Sequence, residues 1–323
     1  SFLAEVTSGS WPFPFTTAWG WLGVMPIYSL HILFLAGLVF QFGRPALPVL
    51  LPAGFLFGLY ESYLTKQLWL PTWWKEPGLS LGGVAVVEFF VLVLWWHPLM
   101  AFLVPLAAGE RALSPSSEVL DGFPRFFRSR RALLGLGLVG GYYQSLICPL
   151  APGKLALSAL VSGGSLLGVL ALWRKLYASQ GFLFRDLLPR GRELGVLLVP
   201  LLLLYFWMGR FVRPEALPGA GPQALILAAA LGFAFLLQRN LRQAGGPPQK
   251  PGSEGPFSWR PFLIFLGTFG LSVQGFRVLD RVLGLVSGSP ERVTVFRLVL
   301  TIVAAVGGGG WMLRKAVWPR INP

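Results

Sequence analysis

From residue 17 onward, apolar stretches of about 20 residues alternate with short polar breaks, the length an α-helix needs to cross the hydrocarbon of a bilayer. Nine stretches are legible, at approximately 17–41, 46–66, 82–107, 132–149, 154–173, 194–212, 221–238, 260–276 and 293–313. Only closed helices or barrels satisfy their backbone in lipid, and the runs are long and unalternating. They predict an all-α, polytopic integral membrane protein with about nine transmembrane helices.

The loops orient it. With the N-terminus outside, the inside loops hold 18 Lys and Arg and the outside segments 8, with Arg297 inside the ninth span. Positive residues favour the inside, so the chain reads as N-outside and C-inside. The Gly/Pro-rich string "RQAGGPPQKPGSEGP" reads as a flexible inside loop over 242–258, dividing a seven-helix unit (1–241) from a two-helix unit (259–323). No internal repeat supports an inverted-repeat transporter.

Composition agrees with the spans. Charged residues make up 12%, against roughly 25% in soluble domains, and the mean hydropathy is +0.64. The formal net charge is +14. Its basic residues fall in short loops between spans, so the partners it implies are the bilayer and anionic lipid headgroups, not nucleic acid. The lone cysteine, Cys148, excludes an internal disulfide and any multi-cysteine metal site. Scarce Asn, Cys and Met, with Arg preferred to Lys, suit a thermophilic source and a prokaryotic inner membrane.

Several segments have their own character. "SPSSEVLDGFPRFFRSRR" (114–131) and "GFLFRDLLPRGRE" (181–193) interleave Phe or Leu with Arg, as short helices on the inner surface would, or as solvated basic loops. "RVLDRVLGL" (277–285) reads as an amphipathic outer helix or a self-paired charged loop, and "LPTWWKEPG" (70–78) as an outer aromatic belt. Glycines four apart at Gly54/Gly58, Gly137/Gly141 and Gly164/Gly168, and the run Gly307 to Gly310, allow close helix contact.

Charge inside a span is costly and marks where function should be sought. "GLYESYLTKQLW" (58–69) places Glu61 roughly 8 Å below the outer end of the second span, at ~1.5 Å per residue. Glu88 and Arg297 fall at a similar depth, while Lys66 and Arg210 sit at the outer edge. Glu61 shares a helix face with Gly54 and Gly58, so it should point into the bundle, with Lys66, Arg297 or Arg210 as counter-ion. These five residues form the candidate ligand or ion pathway. A buried salt bridge fixing helix register is the equally weighted alternative.

His31 and His97 share a second depth, roughly 21–23 Å from the outer boundary. Two imidazoles on different helices suit a haem, a chlorin or a metal. Alternatively each satisfies a backbone carbonyl or a tyrosine such as Tyr28 or Tyr142. Glu88 and His97 are half a turn out of phase on an ideal helix, which disfavours a Glu–His centre on that span.

Three functions fit. The first is a protein that binds or conducts a small solute, ion or proton through an outer-third site built on Glu61, Glu88 and Arg297. The second is an accessory or cofactor-holding subunit of a larger membrane complex. The third is a membrane-embedded enzyme for a lipid-linked substrate, although no catalytic motif is present.

Overall fold

The computed structural model describes residues 2–71, 79–123, 129–148, 150–177, 180–245, 258–287 and 289–319, except the side chains of 152, 287 and 290–292. The chain is an all-α membrane protein. Its helices are α1 (Phe2–Val6), α2 (Gly20–Phe42), α3 (Leu47–Thr65), α4 (Val86–Leu113), α5 (Glu118–Asp121) and α6 (Arg130–Ile147). They continue with α7 (Pro152–Tyr177), α8 (Arg192–Phe211), α9 (Ala220–Ala244), α10 (Arg260–Ser287) and α11 (Pro290–Val317). Eight of these, α2, α3, α4 and α7 to α11, are long and apolar enough among the described residues to cross a membrane. The sequence reading had a ninth at 132–149. A helix forms there as α6, but Tyr142, Tyr143, Gln144, Ser145 and four glycines lower its apolarity.

Three boundaries move for local reasons. Gly82 and Gly83, both at positive φ, turn a two-residue hairpin between β1 (Ser80–Leu81) and β2 (Val84–Ala85), so the third span starts only at Val86. Arg277, Asp280 and Arg281 do not form a separate surface helix, because α10 runs unbroken through them. The 181–193 segment forms one 3₁₀ turn at Phe184–Leu187, with Phe184 buried in protein, in place of a surface helix. In the 114–131 segment α5 and the start of α6 form, and 124–128 lie outside the described residues, as do most of the aromatic belt (72–78), Lys75, Lys250, Arg320 and residues 246–257 of the Gly/Pro-rich loop.

Packing groups the chain into two units. One comprises 1–26, 107–184 and 252–301, the other 27–106, 185–251 and 302–323. In the first, α6 and α10 lie side by side at Gly137 and Gly141. A Cβ on Gly137 would come 2.8 Å from Thr268 Cβ, and one on Gly141 2.8 Å from the Val273 nitrogen. Backbones approach this closely only where side chains are absent. Phe2 meets Phe269 edge-on, and Val6, Cys148, Leu155, Phe265 and Val273 complete the core.

In the second unit α3 is enclosed by protein, with 83% of its apolar window buried, where that of α9 is 17% buried. Its glycines seat α4 antiparallel: Gly54 faces Pro98 and Gly58 faces Val93, with a Cβ on either falling 2.9 Å from the opposing Cα. Phe55 packs on Phe233 of α9. Trp95 of α4 lies over Gly308, so the four-glycine run admits an aromatic ring. The Gly164/Gly168 pair makes no such contact; a Cβ there meets no described atom within 4 Å.

Candidate functional site

Glu61 and His97 meet inside the second unit. Both are buried, and His97 Nε2 lies 3.0 Å from Glu61 Oε2, off the axis of an aligned hydrogen bond. His97 Nδ1 is 3.0 Å from the Leu92 carbonyl oxygen. A carbonyl only accepts, so Nδ1 carries a hydrogen and donates it. A neutral ring then turns the Nε2 lone pair toward Glu61. Facing a carboxylate oxygen at that distance, the pair needs one further proton, on Nε2 or on the carboxyl.

Helix geometry explains the meeting. Side chains on a helix lean toward its N-terminus. Because α3 and α4 run in opposite directions, Glu61 and His97 lean toward each other. Residues Phe89–Leu103 of α4 are also π-helical: backbone bonding between residues five apart widens the turn, and the His97 side chain reaches the Leu92 carbonyl within that stretch. Depth counted at the α-helical rise and phase counted at 100° per residue both fail on such a stretch. Hence the carboxylate assigned to the outer third and the histidine assigned to the inner half are partners, and the expected cation partners of Glu61 give way to an imidazole.

His31 lies close by in the same unit. Its Nδ1 is 2.5 Å from the Ile27 carbonyl oxygen, and its ring packs on Tyr60 (5.1 Å between centroids) and edge-on to Phe57 (5.7 Å). His97 also meets Phe57, at 5.9 Å. Both His97 nitrogens are engaged, one by Leu92 and one by Glu61, so ligation of a haem, chlorin or metal by the two histidines would first have to break the Glu61 contact. Among the described residues no group of three or more His, Cys, Asp and Glu is placed to hold a metal ion.

Lys66 does not pair with Glu61. It is the C-cap of α3, in the left-handed region, and its buried ammonium donates to the carbonyls of Leu64 (3.2 Å) and Met208 (2.8 Å). Arg213, also left-handed, reaches back to the carbonyls of Thr65 (3.0 Å) and Leu70 (2.6 Å). The ends of α3 and α8 thus exchange cations, each satisfying carbonyls that a helix C-terminus leaves open. Burial, reinforced by Arg213, pushes the Lys66 pKa down. Arg210 is exposed at the end of α8, and Glu88 is buried just before the π-helical stretch.

Arg297 belongs to the other unit, and its counter-ion there is Asp280 of α10. It also donates to the Tyr142 carbonyl (2.8 Å) and Ser145 Oγ (2.7 Å), with its guanidinium 4.4 Å from the Tyr142 ring centre.

Three other polar anchors escaped the sequence reading. Asn240, fully buried, donates to the carbonyls of Pro48 (2.7 Å) and Ala316 (2.8 Å), tying α9 to the start of α3 and the end of α11. Arg239 donates to the same end of α11 at Val317. Glu110, also fully buried, accepts from the backbone N–H groups of Val119 (2.9 Å) and Leu120 (3.1 Å) and from Ser116 Oγ (3.2 Å). The signal for Glu110 was the run Ser114, Ser116, Ser117 close after a carboxylate; that for Asn240 was only its rarity.

The chain belongs to a family described as an uncharacterized membrane protein family, which matches it over residues 1–315. It is similar to an "Uncharacterized protein" of Archaeoglobus fulgidus, 30% identical over 307 residues, covering 93% of this chain and 94% of the relative. No solved structure matches it.

Proposed function

We propose that the chain binds or conducts a small solute, ion or proton across a prokaryotic cell membrane, with Glu61 and His97 as its proton-holding centre. The observation that carries this is the 3.0 Å separation of His97 Nε2 and Glu61 Oε2 on two buried helices, with Nδ1 already committed to Leu92. Carboxylate–imidazole pairs inside spans are the groups that proton relays use. Gaining or losing their shared proton changes the charge of the centre by one, which is the signal that couples protonation to solute binding or to a helix shift. His31, Tyr60 and Phe57 make the aromatic wall beside it, and the archaeal relative supports the prokaryotic setting.

The test uses the full chain in lipid vesicles carrying an internal pH dye, with infrared difference spectra between acidic and alkaline buffer on the same protein. The expected result is a carboxyl signal or a proton flux that Glu61→Gln removes and His97→Gln alters in parallel. Spectra and fluxes unchanged by both substitutions overturn the reading.

A further inference from the structure

His31 is the titratable neighbour that the Glu61–His97 reading leaves without a proton role. It stands on α2 and packs on Phe57 and Tyr60 of α3. Its Nδ1 faces the Ile27 carbonyl oxygen, which only accepts, so Nδ1 carries the hydrogen. The neutral ring then keeps a bare lone pair on Nε2, and no described residue bonds to that nitrogen. His97 is arranged in the same way, with Nδ1 on the Leu92 carbonyl and Nε2 turned to Glu61. Two backbone carbonyls thus hold the only two histidines of the chain in one tautomer, each with Nε2 as the proton acceptor.

One phenyl ring touches both imidazoles. Phe57 meets His31 at 5.7 Å with the ring planes at 76°, and His97 at 5.9 Å with the planes at 71°. The side chain the two histidines share is apolar and fully buried, so in this conformation it offers them no hydrogen-bonded link. On its other side His31 meets Tyr60, whose ring centre is 5.1 Å away. Tyr60 is 41% exposed, the one exposed side chain of α3. Glu61 Oε2, in contrast, is closed off. A proton on the Glu61–His97 pair therefore leaves by way of a neighbouring group or a transient opening. His31 is the acceptor that contacts both the ring shared with His97 and the exposed tyrosine. The other titratable side chains packed around this path are Tyr28 of α2, against Phe57, and Tyr205 of α8, against Tyr60.

We propose that the species conducted is the proton, that His31 is its second station, and that Phe57 gates the step from His97 to His31. This rests on the Glu61–His97 reading and deepens it. When the Phe57 ring swings aside, the Nε2–H bond of protonated His97 breaks and its electron pair stays on His97 Nε2. The proton bonds to the lone pair of His31 Nε2. The His31 imidazolium then releases it toward Tyr60, and the Glu61–His97 pair takes up another.

The experiment uses the full chain, carrying nitrogen-15-labelled histidine, in lipid vesicles with an internal pH dye. With two histidines in the chain, the nitrogen spectrum contains two rings. At neutral pH both should show a hydrogen on Nδ1 and none on Nε2. Both Nε2 atoms should gain one, reversibly, over the acidic range in which the flux changes. His31→Gln should cut the proton flux about a hundredfold, the order expected for removing one positioned proton-transfer group, while the Glu61 carboxyl signal in the infrared remains. Phe57→Leu should raise the flux severalfold. Flux that His31→Gln leaves intact, while Glu61→Gln and His97→Gln abolish it, overturns the role of His31 and leaves the Glu61–His97 centre standing. Flux insensitive to all three substitutions removes both. Should His31→Gln fail to fold, the wild-type spectrum decides. A His31 ring with its hydrogen on Nε2 at neutral pH, or one that gains no second hydrogen where the flux changes, overturns the proposal. A folded Phe57→Leu variant with no rise in flux overturns the gate.

Discussion

His97 reaches Glu61 because each side chain leans toward the N-terminus of its own helix while α3 and α4 run in opposite directions. The contact therefore depends on the antiparallel seating of the two helices as much as on the two residues. Glu61→Gln keeps the shape, and its amide still donates to His97 Nε2, so unfolding temperature should change little while any pH response disappears. His97→Leu leaves the carboxyl without the imidazole. Removing one partner of a buried pair costs on the order of 3–5 kcal/mol, less if the carboxyl takes up a proton. Replacing both by Leu should recover most of that loss. A double variant as unstable as His97→Leu alone would show that the two residues are not coupled.

The all-α membrane fold was legible because burial in lipid demands continuous apolar runs, and those runs are explicit in the sequence. Partnerships within the membrane were not. Glu61 was recognised as inward-facing from Gly54 and Gly58, and its helix does pack closely at those glycines. Its partner was hidden by the π-helical stretch of α4, which no residue pattern announces. Lys66 looked like a counter-ion because it lies five residues from Glu61, but its ammonium finds the carbonyls of Leu64 and Met208, the latter 142 residues away. Capping across helices is a tertiary relation that local spacing cannot contain.

The glycine contacts make opposite predictions at similar motifs. Gly58→Ala places a Cβ 2.9 Å from Val93 Cα and 3.1 Å from its carbonyl oxygen, which are backbone atoms that cannot rotate away. Overpacking of this kind costs roughly 1–3 kcal/mol and should splay α3 from α4, disturbing the Glu61–His97 contact as well. Gly164→Ala meets no atom of the described residues within 4 Å and gains helix propensity, about 0.5–1 kcal/mol. Thermal unfolding of the two variants in one detergent should move in opposite directions. Equal destabilisation would refute the assigned contacts.

Lys66 predicts an alkaline signature. Its folded-state pKa is pushed below the ordinary lysine value by burial first and by the Arg213 charge second. Between that lowered value and the ordinary one, the unfolded chain holds a proton that the folded chain has released. Stability contributed by Lys66 therefore rises with pH through this window and is lowest below it. The difference in Tm between wild type and Lys66→Met should grow in favour of wild type as pH rises there. A difference that is flat or falls through the same range would contradict the burial of the ammonium.

Glu110 predicts a local effect separable from the membrane core. Its carboxyl holds two backbone N–H groups of α5 and the hydroxyl of Ser116, and Ser116 Oγ in turn accepts from the backbone N–H of Phe184. The segment from Ser114 to Asp121 is thus organised around one side chain, and α5 is too short to form without it. Glu110→Ala leaves buried donors unsatisfied, at about 1–3 kcal/mol each. Glu110→Gln retains an acceptor oxygen and should fall between Ala and wild type. Amide hydrogen exchange should show Val119 and Leu120 losing protection in Glu110→Ala, while α3 and α4 around Glu61 and His97 keep theirs. Loss of protection spread evenly over all helices would mean that Glu110 supports the whole fold and not this segment.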